Sequence, residues 1–519
     1  MRPILSIGRN CVDIQPVHRS GILVDGEEYY TAFYLAAQRA EHFILVAGWQ
    51  FDSEVAILRG EQGLETRGLV RLLPFLNELC RAKPHLQIVI LAWDYSFIYA
   101  LEREWMQKVI FDWTTQPNLS FRWDSNHPAG GSHHQKFAIV DGEIGFVGGM
   151  DLCEHRWDDR GHALSNPRRI KASGIGYKPY HDVQGFVVGR DACAPLMEIF
   201  SQRWAETGGD PLTLQLPERP LHHDFHPPTR LTVDADAVAT SRTVPRTLGR
   251  EGSLEIMQLF SDAILAAEEL IYIETQYVSA KSVQEALVRR MLMRNQPLLD
   301  IVLVLPMRPG ELKERFAVGL SQAKVLECVR QVAESTGHRL GVYYSAAPNG
   351  NGKPVATYIH SKLMMVDDQF LTVGSANMTN RSMGLDTELH LAWQARGPDD
   401  PALRRSLRRI RVSLLAEHAG LSGVLSVRHL AQRRGLVAYL NALAEREVSR
   451  LRLQERVQAP EEVVIRYIDV DRYNFFDPQE PQLLFEEMGA EVQEFFTHGI
   501  GALTRRIENL RGGTDGTPS

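Results

Sequence analysis

Short apolar runs rich in β-branched and aromatic residues alternate with segments of helical spacing over the first 400 residues of the chain. Phe43–Trp49 and Ile88–Trp93 are unbroken apolar runs, the pattern of strands buried on both faces, and predict strands over Phe43–Trp49 and Leu86–Trp93. Glu28–Ala40 and Val70–Ala82 repeat apolar residues every three or four positions and predict helices. Phe137–Val140 and Ile144–Val147, split by Asp141-Gly142-Glu143, predict a hairpin. The order then returns. Helices over Leu254–Glu268, Ser282–Met293 and Leu312–Ser335 lead into strands Leu270–Glu274, Asp300–Leu305 and Gly341–Tyr344. A second hairpin, Leu363–Val366 with Phe370–Val373, turns on Asp367-Asp368-Gln369. Alternating strands and helices predict an α/β fold. The recurrence predicts an internal duplication.

A chain of 519 residues exceeds one ordinary core, and the repeat divides it. Residues 1–207 form a first half and 237–400 a second. Residues 208–236, rich in Pro and His, form a connection, and 401–519 a helical extension with a disordered tail. In the extension Leu403, Leu407, Ile410 and Leu414 share one helix face, with Arg404, Arg405, Arg408, Arg409 and Arg411 on the others. This predicts packing on the second half, the alternative being attraction to anionic headgroups. A further amphipathic run, from Leu484 through Met488, Val492, Phe496, Ile500 and Leu503 to Ile507, predicts packing or self-association. A monomer is expected, with a dimer through these helices as the variant.

Composition narrows the class. Apolar residues at 44% with charged residues at 23% predict a folded globular protein. Fifty-seven basic against 64 acidic residues give a net charge of −7, which argues against a broadly basic, nucleic-acid-coating surface. Cys11, Cys80, Cys153, Cys193 and Cys328 are scattered without a CxxC pair, so neither a disulfide framework nor structural zinc is indicated. His222, His223 and His226 lack an acidic or Cys partner at ligand spacing, and no metal is expected there. Met1–Cys11 lacks a secretory pattern, and no apolar run approaches the ~20 residues of a membrane span. The expected location is the cytoplasm or the periphery of a membrane, with export as an effector lacking a signal peptide left open.

The chemistry lies in a repeated motif. His134-x-Lys136-x4-Asp141 is followed by Gly148-Gly149, and His360-x-Lys362-x4-Asp367 by Gly374-Ser375 at the same offset, 226 residues on. Residues i and i+2 of a strand share a face, so each His and Lys reaches a common site. Two such strands place two imidazoles and two ammonium groups around one point. One neutral imidazole can attack a phosphodiester while the other, protonated, gives its proton to the leaving oxygen. The lysines neutralise phosphate oxygens, a task often given to metal ions, so no metal or other cofactor is expected. Asp141 and Asp367, the acidic ends of the motifs, lie near the hairpin turns and are read as holding structure. The small residues at Gly149 and Ser375 allow a ligand close to the backbone. His133 points to the opposite strand face and is read as structural or as a support.

At these residues the sequence resembles the phospholipase D superfamily, closest to the eukaryotic-type enzymes, and a bacterial member is expected. The resemblance spans about residues 25–420. It rests on Ser132-His133-His134-Gln135-Lys136, Gly148-Gly149-Met150-Asp151-Leu152-Cys153, Arg156-Trp157-Asp158, Tyr180-His181-Asp182-Val183, Ile271–Tyr277, Tyr358-Ile359-His360-Ser361-Lys362 and Gly374-Ser375-Ala376-Asn377, continuing to Arg381-Ser382. It implies two related α/β/α sandwich halves with one active site at their interface, and a covalent phosphohistidine released by water or an alcohol. By position His134 is the nucleophile and His360 the general acid/base, an order borrowed from the family because the motifs are nearly symmetric. Lys136, Lys362 and Asn377 bind phosphate, and Asp182 and Glu388 orient the imidazoles. Trp157 and Tyr180, in the loop Glu154–His181 with Arg168, Arg169, Lys171, Tyr177 and Lys178, are candidate substrate-rim residues.

Two departures stand out. Asp151 replaces the Asn of many bacterial members and cannot donate to phosphate when ionised, so the halves are not equivalent. The eukaryotic lipid-targeting modules are not expected ahead of the catalytic pattern, and recruitment to a peripheral membrane contact is expected from the catalytic region, the C-terminal helices or a partner. The expected function is headgroup hydrolysis or exchange on glycerophospholipids. Cardiolipin synthase-type phosphatidyl transfer is the variant. A nuclease on the same fold and a non-catalytic scaffold are the alternatives from other classes, and no nucleic-acid partner is expected.

Overall fold

Two sheets repeat one topology. In the first, the strands Arg19–Val24, Val183–Val188, Ile144–Gly148, Phe137–Val140, Phe43–Gly48, Gln87–Trp93 and Leu119–Asp124 lie side by side in that order. In the second the order is Ala237–Val244, Glu388–Gln394, Phe370–Gly374, Leu363–Val366, Leu270–Glu274, Asp300–Val304 and Arg339–Ala347. In both, the first four pairings are antiparallel and the last two parallel. The protein is thus a mixed α/β fold of two related halves. The computed structural model describes residues 3–59, 69–94, 115–128, 130–247, 251–308, 318–347, 349, 354–397, 400–422, 427–446, 449–456 and 477–480.

The expected helices and strands occur with shifts of a few residues. Val70–Arg71 is a short strand and the helix follows as Leu72–Ala82. The third helix of the second half is described over Gly319–Thr336, the start of the expected span lying outside the described residues. The run Leu484–Ile507 and the tail lie outside them as well.

The halves exchange segments, so the expected boundaries need correction. Asp13–Pro16 pairs with Ala237–Val244 and belongs to the second sheet, although it precedes the first half. Thr232–Val233, in the expected connection, pairs with Arg19–Val24 in the first. The C-terminal extension is not purely helical, because Leu451–Leu453 adds a strand beside Arg339–Ala347. Backbone pairing, which ignores domain boundaries, decides each case.

A shared core lies between the sheets. A Cβ on Gly185 would meet Val373 at 3.0 Å and Leu391 at 3.2 Å in the other half, so glycine permits this close approach. The helix Pro401–Ala419 buries Leu403, Leu407, Ile410 and Leu414 against the same core. Its start is capped by Asp400, which accepts from the Leu403 N–H at 3.3 Å, and it ends at left-handed Gly420. The arginines on its other faces are largely committed. Arg411 is fully buried on Asp368, Arg408 reaches the same carboxylate at 3.2 Å, and Arg409 donates to the Thr232 carbonyl. Asp368 lies at the hairpin turn, beyond the strand from His360, so these cations do not face the motif histidines.

Candidate active site

Each motif lies on the strand entering its hairpin, and both aspartates act as latches behind it. Asp141 accepts from the backbone N–H groups of Glu41, His42 and Phe43 at 2.8–2.9 Å, fixing the strand that pairs with the hairpin. Asp367 does the same for Glu268, Glu269 and Leu270 at 2.7–2.8 Å. Both adopt left-handed backbone, φ 50° and 55°, which Asp tolerates in turns. Neither reaches the motif histidines, so their place in the catalytic set is structural. His222 Nε2 also donates to Asp141 at 2.8 Å, while His223 stacks on His18 with ring centroids 3.3 Å apart.

Beyond the latches the halves interlock at the histidines. The His134 N–H donates to the Thr387 carbonyl at 3.0 Å, and the His360 N–H to the His181 carbonyl at 2.8 Å. Each bond places a motif histidine beside the acid that follows in the other half. Glu388 takes the His134 Nδ1–H between its two oxygens at 3.0 and 3.1 Å. Asp182 takes the His360 Nδ1–H at 2.6 Å. The pairing is therefore crossed, each acid serving the opposite half's histidine. With Nδ1 committed to a carboxylate, Nε2 of each ring is left for chemistry.

The lysines fold back between them. Lys136 Nζ donates to the His134 carbonyl at 3.1 Å, and Lys362 Nζ to the His360 carbonyl. Lys362 also contacts Gln276 Oε1 at 3.4 Å, as does Asn377 Nδ2 at 3.4 Å, while the Asn377 Oδ1 is buried without a partner. In the first half Asp151 stands where Asn377 stands in the second. It accepts from the Trp49 N–H at 2.8 Å and faces Lys136 at 3.4 Å. The inequivalence expected from sequence is thus electrostatic, Lys136 facing the Asp151 carboxylate and Lys362 the Gln276 amide.

Charge crowding and burial shift the site. Burial, then Lys362, Arg156, Lys136 and His134, hold His360 well below the ordinary histidine range. Burial and Lys136 bring Lys362 down to about 7 against the pull of Asp182. Burial raises Asp182 to about 6, opposed by Lys362. Burial also pushes Glu388 upward, but His134 and the Ser375 hydroxyl more than offset it and leave Glu388 lowered.

The small residues serve the acids. A Cβ on Gly149 would fall 2.5 Å from Asp182 Oδ1, so glycine leaves room for that carboxylate. Ser375 donates to Glu388 and accepts from the Leu389 N–H at 3.0 Å, which makes it a support of the acid and not a ligand contact. His133, as expected, supports from behind, bonding Thr387 Oγ1 at 3.1 Å and facing Asp124 at 3.1 Å.

The two rim candidates part company. Trp157 is 2% exposed in the first-half core, with Arg59 and Arg168 over its ring, so it is no rim residue. An indole between arginines in a loop reads as surface from sequence, but here the arginines cover it. Tyr180 is at the site, its ring 5.4 Å from that of His360 and stacked on Tyr358. Gln276, unassigned to a role from sequence, bonds the hydroxyls of Tyr277 and Tyr358 at 2.8 Å and reaches Lys362 and Asn377. Its signal was the position of Gln276 in the run Ile271–Tyr277, which opens the second half.

Beneath His360 and Asp182 lies a buried polar network that the sequence reading missed. Ser361 donates to Glu274 at 2.7 Å, and Glu274 also takes His181 and His418, both at 2.9 Å. His181 and His162 converge on Glu417 of the C-terminal helix, at 2.9 and 3.0 Å, with Asp25 beside them. Against the effect of burial, Asp25, Asp158 and Glu417 pull His162 up to about 10. Among the described residues, metal-ligating atoms lie within 4.8 Å in Asp25, His162, His181 and Glu417, and again in His181, Glu274 and His418. Two imidazoles with two carboxylates fit a divalent cation by donor type. In the structure these groups satisfy one another, and none of them contacts the lysines. Their residues are scattered from Asp25 to His418, which hid the set.

No helix among the described residues is long and apolar enough to cross a membrane. Comparison with known proteins agrees with the geometry. The profile of the family described as "Cardiolipin synthase, PLD-like domain" matches residues 260–403. Phospholipase D alpha 1 of Oryza sativa subsp. japonica is 24% identical, covering 77% of this chain and 65% of its own length. The same-named protein of Arabidopsis thaliana is 23% identical, over 74% of this chain and 63% of its own. The chain thus spans slightly less than two thirds of the length of these relatives. The crystal structure of phosphatidylserine synthase from Haemophilus influenzae Rd KW20 superposes with a TM-score of 0.51 at 14% identity, covering 83% of this chain and 94% of that one. Residues 260–403 thus match a PLD-like domain, and the duplicated sheets and paired motifs are of the kind that such a domain and these relatives suggest.

Proposed function

We propose that the protein is a phospholipase D-type phosphodiesterase that cleaves or exchanges the headgroup of glycerophospholipids. The observation that carries this is the crossed arrangement of two histidine–carboxylate pairs, His134–Glu388 and His360–Asp182, with Lys136 and Lys362 between them. It suits a two-step displacement. Nε2 of neutral His134 attacks phosphorus, and the bond from phosphorus to the headgroup oxygen breaks. That oxygen takes the proton from His360 Nε2, leaving a phosphatidyl-His134 intermediate. His360 then accepts a proton from water or an alcohol. The freed oxygen attacks phosphorus, the P–N bond breaks, and phosphatidic acid or a phosphatidylalcohol leaves. With phosphatidylglycerol as the alcohol, the product is cardiolipin.

The electrostatics fit this order once substrate is present. Burial and the neighbouring cations hold His360 neutral in the free site. A phosphodiester anion between the lysines offsets two of those cations and favours the imidazolium beside Asp182. The lysines and Asn377 supply donors for the non-bridging oxygens, and Gln276 Oε1 holds Lys362 and Asn377 in place.

Vesicles of phosphatidylcholine and phosphatidylethanolamine, with and without added primary alcohol, test the proposal by mass spectrometry of the products. Phosphatidic acid without alcohol and phosphatidylalcohol with it are expected, and both should vanish in His134→Ala and His360→Ala. Cleavage of DNA or RNA with no lipid turnover would instead favour a nuclease.

A further inference from the structure

Arg156 breaks the two-fold relation of the site. The 226-residue offset that maps His134 onto His360, Lys136 onto Lys362 and Asp151 onto Asn377 brings Arg156 to Ser382, and the adjacent Arg381 is instead held by Asp386, so the two halves place their cations differently. Its guanidinium lies over the Tyr180 ring, 5.2 Å from the centroid, and that ring stands 5.4 Å from the His360 ring. Among the described residues, no hydrogen bond or ion pair holds the guanidinium, and its Nε is buried without an acceptor. The Tyr180 hydroxyl, on a residue only 4% exposed, is also buried without a partner. Asp151 and Asp182 act on this guanidinium through space without a hydrogen bond to it; burying its Nε donor and the Tyr180 hydroxyl unpaired is unfavourable, and a bound acceptor removes that cost.

The loop holding these groups is built and braced. A Cβ on Gly26 would fall 2.5 Å from the Trp157 Cα and 3.1 Å from the Arg156 carbonyl oxygen, so the backbone there is packed tightly. Buried Arg169 ties the loop together through Asp158 and the carbonyls of Ala163, Leu164 and Tyr177. Arg156 therefore presents its charge from a fixed support.

The location says what the charge faces. In the mechanism proposed above, His360 protonates the leaving oxygen, so the headgroup departs on the His360 side, where Tyr180 and Arg156 stand. We propose that Arg156 and Tyr180 form a subsite for a second oxyanion carried by the lipid headgroup, either a carboxylate or a second phosphate. The inference rests on that reading of the function and adds a charge preference to it. Recognition would also assist the chemistry. After burial and Lys362, Arg156 is the cation that most disfavours imidazolium at His360, and an anion bound to Arg156 offsets it.

The test uses full-length protein on phosphatidylcholine vesicles carrying equal surface charge from phosphatidylglycerol, phosphatidylserine or cardiolipin. Phosphatidylglycerol controls for surface charge because its headgroup has no second anion. Wild-type protein should prefer phosphatidylserine or cardiolipin over phosphatidylglycerol by about 10-fold in kcat/KM, the scale of one charge-assisted contact. Which of the two is preferred separates carboxylate from phosphate. Arg156→Gln should bring the ratio close to one, Arg156→Lys should retain part of it, and Tyr180→Phe should lower it by about 3-fold. Arg156→Lys and Tyr180→Phe keep the test open if Arg156→Gln fails to fold. A ratio unchanged in the variants, or equal losses on all three lipids, would overturn the subsite while leaving the function intact. A wild-type protein inert on every phospholipid would end both.

Discussion

Asp182, in the first half, holds Nδ1 of His360, in the second, at 2.6 Å, and Glu388 returns the relation to His134 from the second half to the first. Neither half supplies its own motif histidine with the carboxylate that holds it. The active unit is the joined pair, which links the packing of the sheets directly to the chemistry.

Removing either acid charge should therefore disable the histidine of the opposite half. Asp182→Asn and Glu388→Gln keep size and lose the charge that sets the tautomer and stabilises imidazolium. A loss of about 10³–10⁴-fold in kcat is expected, with little change in melting temperature. Steady-state kinetics beside a thermal melt checks this, and activity within 10-fold of wild type would refute the pairing.

Gly149→Ala should mimic the acid variants without touching a catalytic group. The added Cβ would meet Asp182 Oδ1 at 2.5 Å and must displace it from His360. We expect at least a 10-fold loss in kcat. Gly176→Ala, at an exposed loop position where a Cβ would meet only the Arg169 carbonyl oxygen at 3.8 Å, is the control for backbone effects and should retain activity.

The pH profile should be bell-shaped and narrow. Lys362, brought down to about 7, loses its charge as pH rises, and with it part of the grip on phosphate. Asp182, raised to about 6, loses its charge as pH falls, and with it the partner of the His360 imidazolium. Because kcat/KM reports groups of the free enzyme, it should peak between about 6 and 7 on phosphatidylcholine. A value still rising through pH 8 would contradict this assignment.

Asp141 and Asp367 should matter for stability instead of chemistry. Each accepts three backbone N–H groups, and truncation leaves them unpaired. Asp141→Ala or Asp367→Ala should cost about 3 kcal/mol, read as a fall in the urea midpoint, with kcat per folded molecule retained. A loss of kcat in fully folded variants would return the aspartates to the catalytic set.

Much of the frame was legible because the two hairpins are short-range patterns. Phe137–Val140 and Leu363–Val366 occur at the expected positions, and the repeated motif marked them as equivalent. Which acid meets which histidine was not legible. His360 and Asp182 are 178 residues apart, and only the packing of one sheet on the other decides their encounter. Ser375 was misread for a related reason: smallness suggested an approaching ligand, whereas its hydroxyl serves Glu388. The network of Asp25, His162, His181, Glu274, Glu417 and His418 left no local signal, since apart from the adjacent Glu417 and His418 its members come from different elements or loops.

The most direct test of a shared two-histidine site is to trap the intermediate. Wild-type protein mixed with phospholipid and quenched rapidly should carry a phosphatidyl adduct on His134, mapped by peptide mass spectrometry, and His360→Ala should still form some of it. An adduct on His360 would reverse the two roles. Product formation with no adduct on either histidine, or turnover surviving in the double variant His134→Ala/His360→Ala, would contradict the proposed mechanism outright.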